Sequence, residues 1–138
     1  MKIPLDLMGD QDTAVVAIIL REGKILLGLR EYATGNRVWT VPGGRCDKDE
    51  TLEQTLRRET QEEVGISDLR IEKYIGSVNG AKTGDTVHMY YCESNQEPIN
   101  KEPHKFNSWK WFSPEEIPDN FINQSAQKVL IEFIHSMK

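Results

Sequence analysis

Residues Gly44–Ile66 read GRCDKDETLEQTLRRETQEEVGI. Thr51 and Gln54 stand at the spacing of a capping box, which starts a helix by satisfying two orphan backbone donors. Leu52 and Leu56, four apart, give that helix an inner stripe, and Gly65 offers a left-handed stop. Near its end, Glu59, Glu62 and Glu63 fall within five positions. Residues three and four apart are neighbours on a helix, so these carboxylates crowd one side of one turn, where like charges repel. Arg58, four before Glu62, can pair with it. The stripe of Leu52 and Leu56 points elsewhere, so the acidic patch need not face the core. Either it is a solvated face or a cation sits among the carboxylates. Magnesium suits the second case, being a hard ion that takes oxygen ligands and shares its site with phosphates. The preceding Gly43-Gly44 lets backbone approach a ligand closely, and the helix that follows presents its positive end to anions.

The flanks place this helix in a sheet protein. Ala14–Leu20 is a continuous apolar run rich in β-branched residues, the pattern of a strand buried on both faces. A turn at Arg21–Lys24, with Gly23 available for positive φ, returns the chain along Ile25–Arg30 as a hairpin. Glu31–Arg37 reads as a loop, Val38–Val41 as a short strand stopped by Pro42, and the stretch from Gly43 to Glu50 as a polar turn. Leu69–Val78 and Thr86–Cys92 read as strands joined by a Gly-rich turn over Asn79–Asp85. A polar connection, Glu93–Lys105, leads to a strand at Phe106–Phe112 and a short helix capped by Ser113 with Pro114 in its first turn. Val129, Leu130, Phe133 and Ile134 mark a closing amphipathic helix over Asn123–His135. A mixed sheet covered by helices, of class α/β, fits this order, with residues 1–138 forming a single domain.

A chain of 138 residues can bury roughly two thirds of its unfolded surface and folds without staples. The 38% apolar and 28% charged content is that of a globular protein. A net charge of −5 argues against gripping duplex nucleic acid through many phosphate contacts. It is compatible with a small phosphorylated substrate whose charge a metal neutralises. Cys46 and Cys92 lack metal-ligand spacing and read as reduced thiols. The start MKIPLDLMGDQD is not a secretory signal, and the longest apolar run is too short to span a membrane, so a cytoplasmic location is expected.

Taken as a whole, Gly44, Glu50 and the run Arg58-Glu59-Thr60-Gln61-Glu62-Glu63-Val64-Gly65-Ile66 resemble the Nudix box, G-x5-E-x7-R-E-U-x-E-E-x-G-U, where U is bulky and aliphatic. Every fixed residue matches; only Thr60 departs, at a U position, with a volume close to that of valine. The Trp39-x-x-Pro42-Gly43-Gly44 approach and the Ser108-Trp109-x-Trp111 strand agree with the family's layout. The resemblance implies a Nudix-type α/β/α sandwich and hydrolysis of a nucleoside diphosphate linked to a group X. It makes Glu59 and Glu63 principal ligands of Mg2+ (or Mn2+), with Glu62 in the same cluster and the Gly43 carbonyl as a further ligand. Arg58 would orient the carboxylates, Glu50 would hold loop and helix in register, and Glu62 is the first choice of general base. Many relatives carry a further carboxylate on or before the late strand. Here Asn107 or Ser108 stands in that place, and Glu102 or Glu97 could reach in instead.

Substrate contacts lie outside the box. Arg30, Arg37 and Arg45 are candidates for phosphates. Tyr32, Trp39, Trp109 and Trp111 are candidates to stack on a base, with Trp39 and Trp111 better suited to core packing, and Gly44 gives close backbone approach. His88 fits a structural role. The layout is similar to MutT-like enzymes that cut a (d)NTP into a monophosphate and pyrophosphate. Val41–Glu53 is also similar to GDP-mannose mannosyl hydrolases, which have lost part of the glutamate cluster kept here. A non-catalytic nucleotide-binding Nudix domain is the reading from another class. Processing of RNA 5′ ends would want a basic path, which the net charge disfavours. The expected partner is a small nucleotide, with the chain a monomer or homodimer.

Overall fold

The computed structural model describes residues 4–80 and 83–137. The apolar run forms β1 (Thr13–Arg21), and β2 (Lys24–Glu31) follows through a two-residue turn with Glu22 and Gly23 both at positive φ, as a tight hairpin requires. β3 (Arg37–Thr40) pairs antiparallel with the far end of β2. β4 (Gly43–Arg45) was expected to be a turn. It is a short strand instead, because Ala14–Val16 at the start of β1 offer it an antiparallel partner. Then come α1 (Leu52–Val64), β5 (Arg70–Asn79), β6 (Thr86–Glu93), β7 (Phe106–Phe112), a 3-10 turn at Pro114–Glu116, and α2 (Gln124–Ser136). The turn expected over 79–85 includes residues 81 and 82, which lie outside the described residues.

The sheet runs β3-β2-β1-β6-β5, with β4 on β1 and β7 on β2. β1 and β6 are parallel and the other pairs antiparallel, so the sheet is mixed. Side chains of β1 alternate between two cores, as the period of a strand dictates. Val15, Ala17 and Ile19 pack under α1 with Leu56 and Val64. Ile18 packs under α2 with Leu27, Met89, Leu130 and Ile134, and Val16 and Leu20 flank it. The result is the expected α/β/α sandwich. Leu56 and Leu130 are fully buried, and truncating such a leucine to alanine costs about 2–5 kcal/mol. Cys46 and Cys92 are buried and unpaired. Among the described residues, no helix is long and apolar enough to cross a membrane.

Two local features shape the site. The capping box is present: the Thr51 hydroxyl accepts from the Gln54 N–H, and the Gln54 side chain accepts from the Thr51 N–H. The helix end was expected to face anions, but it is covered. The N–H groups of Leu52 and Glu53 donate to the carbonyls of Leu7 and Leu5, and Gly9 N–H donates to the Glu50 carbonyl. The N-terminal segment thus straps the loop before α1 and takes the donors that a phosphate would have used. At the other end, the connection before β7 is anchored to α1, since Ile99 and Lys101 donate to the carbonyls of Val64 and Glu63.

Candidate active site

Arg58 is the centre of the acidic segment. Its Nε and Nη2 fork onto Glu50 at 2.7 and 3.0 Å, Nη1 lies 2.6 Å from Glu59, and Nη1 also reaches Glu62 at 3.2 Å. Glu50 ties the loop to the helix as expected, accepting from the Asp47 N–H and the Thr55 hydroxyl. The Arg58 fork, outweighing burial, holds the Glu50 carboxyl down at about 2, and the same contacts raise the Arg58 guanidinium.

Glu63 departs from the expectation that the patch can stand clear of the core. It is only 7% exposed. Its phase explains this: Leu52, Leu56, Thr60 and Glu63 follow one another by four, four and three residues, so Glu63 continues the inner stripe. Thr60 fits its fully buried position, its hydroxyl bonded to the Leu56 carbonyl. Glu63 accepts a 2.9 Å bond from the Gly43 N–H. Burial nevertheless pushes its carboxyl up to about 8, with the Glu59 and Glu102 charges adding to the rise. Burial raises Glu59 as well, against the pull of Arg58. Glu62 stays outside, its side chain 48% exposed and turned to Arg58.

The glycines explain the crowding. A Cβ on Gly44 would lie 2.6 Å from the Glu59 carboxyl carbon, and one on Gly43, at φ +151°, would strike the Val15 carbonyl oxygen at 2.3 Å. Gly44→Ala is therefore expected to displace the Glu59 carboxylate and lower turnover by roughly 10²-fold, a loss that a displacement of about 1 Å can cause. Steady-state kinetics on the folded variant, checked by circular dichroism, measures it.

Among the described residues, no three acidic, histidine or cysteine side chains converge as a ready-made ion cage. The cause is Arg58, which draws Glu59 and Glu62 to itself while Glu63 faces Gly43. The donor set still fits a hard dication: two mutually repelling carboxylates, both pushed up by burial, lie beside an exposed third and the Gly43 peptide. Of the two carboxylates named as possible additions, Glu97 lies with Arg21 at 3.0 Å, whereas the charge of Glu102 reaches Glu63. Asn107 is occupied with Glu31.

The other predicted contacts separate. Arg45 turns away to the buried Asp85, with Nη1 at 3.1 Å, and gives the site only its carbonyl, which accepts from Arg58. Arg37 pairs with Glu31 at 3.3 Å on the surface. Arg30 lies over the Tyr32 ring at 4.7 Å, with its Nη1 near the Lys105 carbonyl. Trp109 packs against Phe106 with the rings tilted by 40° and covers Gly28, and its indole N–H is buried without a partner. Trp39 and Trp111 pack against opposite cores, and His88 bonds to Tyr74.

Sequence reasoning missed a cavity of about 490 Å3 on the α2 face. Ala14, Val16, Val41 and Phe121 give it apolar walls, and Thr40, Asn79 and Gln124 add polar groups. It forms because Trp39 exchanges backbone bonds with Asn120 and Ile122, closing the segment before α2 onto β3. Asn123 was legible only as the start of a helix. It caps α2 by accepting from Ala126 and donates to the Asn79 carbonyl across the cavity mouth. Val16 is also the residue against which Gly43 packs. The cavity and the carboxylates therefore lie on opposite faces of the sheet and meet at the Gly43 peptide.

Residues 10–133 match the NUDIX domain model. The chain is 33% identical to the CTP pyrophosphohydrolase of Escherichia coli K12 over 74% of this chain and 76% of that one. It is 42% identical to the low-salt glycan biosynthesis protein Agl8 of Haloferax volcanii over 64% of this chain, spanning about half (51%) of that relative. The solution structure of the E. coli ORF135 protein superposes with a TM-score of 0.71 at 28% identity, covering 91% of this chain and 89% of that one. The fold and the similarities define a hydrolase of acid anhydrides, of a family that generally uses divalent metal ions. The chain belongs to the Nudix hydrolase family.

Proposed function

We propose that residues 1–138 act as a single Mg2+-dependent domain that cleaves a nucleoside triphosphate, (d)NTP, to the monophosphate and pyrophosphate. The observation that carries this reading is the meeting of cavity and carboxylates at Gly43, which lets one molecule place a nucleoside in the first and a phosphate chain by the second. The similarity to a CTP pyrophosphohydrolase supports the same class.

Glu59 and Glu63 would hold the ion, with Glu62 and the Gly43 carbonyl beside them and Glu102 as the further carboxylate. The chemistry such an ion would supply is neutralisation of the diphosphate charge and easier deprotonation of a nearby water. Arg58 keeps Glu59 and Glu62 in register. Glu62, exposed and next to the cluster, takes the proton from the attacking water as its oxygen bonds to phosphorus and the bridging P–O bond breaks. The cavity walls exclude water from the base and orient the chain.

Incubation with Mg2+ and a panel of nucleoside triphosphates, followed by chromatography, tests this. Monophosphate plus pyrophosphate is expected, and inorganic phosphate as the sole small product would contradict it. Ala14→Leu, which pushes three carbons into the cavity, is expected to raise KM about tenfold or more and leave Mn2+ binding unchanged. A second reading, cleavage of a nucleotide sugar, is favoured by the likeness to a glycan biosynthesis protein. Turnover of a nucleotide sugar with silence on triphosphates would select it. Tight nucleotide binding with no turnover would leave a sensor.

A further inference from the structure

Phosphates need cations, and most of those expected here are committed. Arg58 is held by three glutamates, Arg45 by Asp85 and Arg37 by Glu31. The amino-terminal end of α1 is closed by the strap from residues 5–9. Lys105 stands differently. Its backbone is fixed on both sides: its N–H donates to the Glu102 carbonyl, and its own carbonyl accepts from the Glu31 N–H and lies 3.5 Å from Arg30 Nη1. Its side chain is free to swing, 44% exposed, with Nζ 3.7 Å from Glu102. At 3.7 Å, with the lysine end exposed and Glu102 at 20%, the pair is loose and can be exchanged for another anion. The ammonium is also close enough for its charge to be felt at both Glu59 and Glu63.

We propose that Lys105 is the phosphate-gripping residue of this site, releasing Glu102 and binding the pyrophosphate portion of the substrate on the side away from the nucleoside. This rests on the triphosphate reading above. With a dication held by the box carboxylates, Lys105 would no longer be needed as their counter-charge, and its ammonium would be free to leave Glu102. The freed ammonium can then bind anionic phosphate oxygens. Lysine suits this as a compact point charge on a long stem. Fixed backbone with a mobile head lets it follow the leaving group as the P–O bond breaks.

Calorimetric titration of inorganic pyrophosphate, in saturating Mg2+, into the parent, Lys105→Met and Lys105→Arg tests this without requiring turnover. The dissociation constant is expected to rise roughly tenfold or more in Lys105→Met, the scale of a lost charge-assisted hydrogen bond, with partial recovery in Lys105→Arg. Affinity for a nucleoside monophosphate should be unchanged, and affinity for Mn2+ equal or tighter, since a competing cation is gone. Equal pyrophosphate binding by parent and Lys105→Met, no pyrophosphate binding by the parent, or weakened Mn2+ binding in Lys105→Met would each overturn the assignment. Loss of pyrophosphate affinity in Lys105→Met beside a parent inactive on every triphosphate would uphold the lysine and sink the triphosphate reading.

Discussion

In chelator, Glu63→Gln is expected to melt several degrees above the parent at pH 8.5 and to match it near pH 4.5, while having lost its turnover. The folded carboxyl of Glu63 lies at about 8 against 4.5 for the free group. Between those values the folded state holds a proton that the unfolded state has released. Stability of the metal-free parent therefore falls as pH rises from about 4.5 to 8, by an amount on the order of a few kcal/mol. Above pH 8 the cost is constant. Glutamine has no proton to lose, and its amide oxygen can still accept from the Gly43 N–H. Mg2+ should reverse the order, raising the melting temperature of the parent and leaving the variant unmoved. Turnover should drop roughly 10²–10³-fold, as for other removed electrostatic partners of a transition state. Differential scanning fluorimetry from pH 4.5 to 9, with chelator or Mg2+, reads the stability arm. A parent whose stability does not change across that range would contradict the burial argument.

Arg58→Ala should have the opposite signature. It removes the fork that holds Glu50, whose side chain is 17% exposed, and frees Glu59 and Glu62 to repel each other. Breaking a fully buried pair costs about 3–5 kcal/mol, and the partial exposure here brings the expectation nearer 2–3 kcal/mol. Glu50 is depressed from 4.5 to about 2, so its contribution is complete above pH 4.5 and disappears as pH falls towards 2. The deficit of the variant should therefore be largest at neutral pH and shrink on acidification. A lysine ammonium cannot reproduce a bidentate fork, so Arg58→Lys should recover little of it. Urea unfolding at pH 7 and pH 3 measures both variants, and full recovery by lysine would show that only the charge matters.

Much of this was legible in the sequence where local chemistry decides the outcome. Thr51, Gln54 and Gly65 bound α1 because capping is a matter of a few adjacent residues. Ala14–Leu20 announced a two-faced central strand by composition alone. Non-local partners hid the rest. Gly43–Arg45 has no strand propensity and is a strand because β1 supplies its bonds. Arg45 had a free choice of anion on paper, and Asp85, forty residues away, decided it. The cavity gathers Val16, Thr40 and Phe121 from three separate segments, so no window of sequence contains it. The burial of Glu63 was within reach, since its place seven residues after Leu56 puts it on the inner face.

On the proposed function, one bound nucleotide places its nucleoside in the α2-face cavity and its phosphates beside a dication on the box carboxylates. A crystal grown with Mn2+ and a non-hydrolysable nucleoside triphosphate tests it most directly, through the anomalous signal of the metal. Manganese coordinated by Glu59 and Glu63 is expected, with the base between Val16, Thr40 and Phe121 and the phosphate chain passing Gly43. Manganese held by other side chains, or a base bound on the α1 face with the cavity left empty, would contradict it.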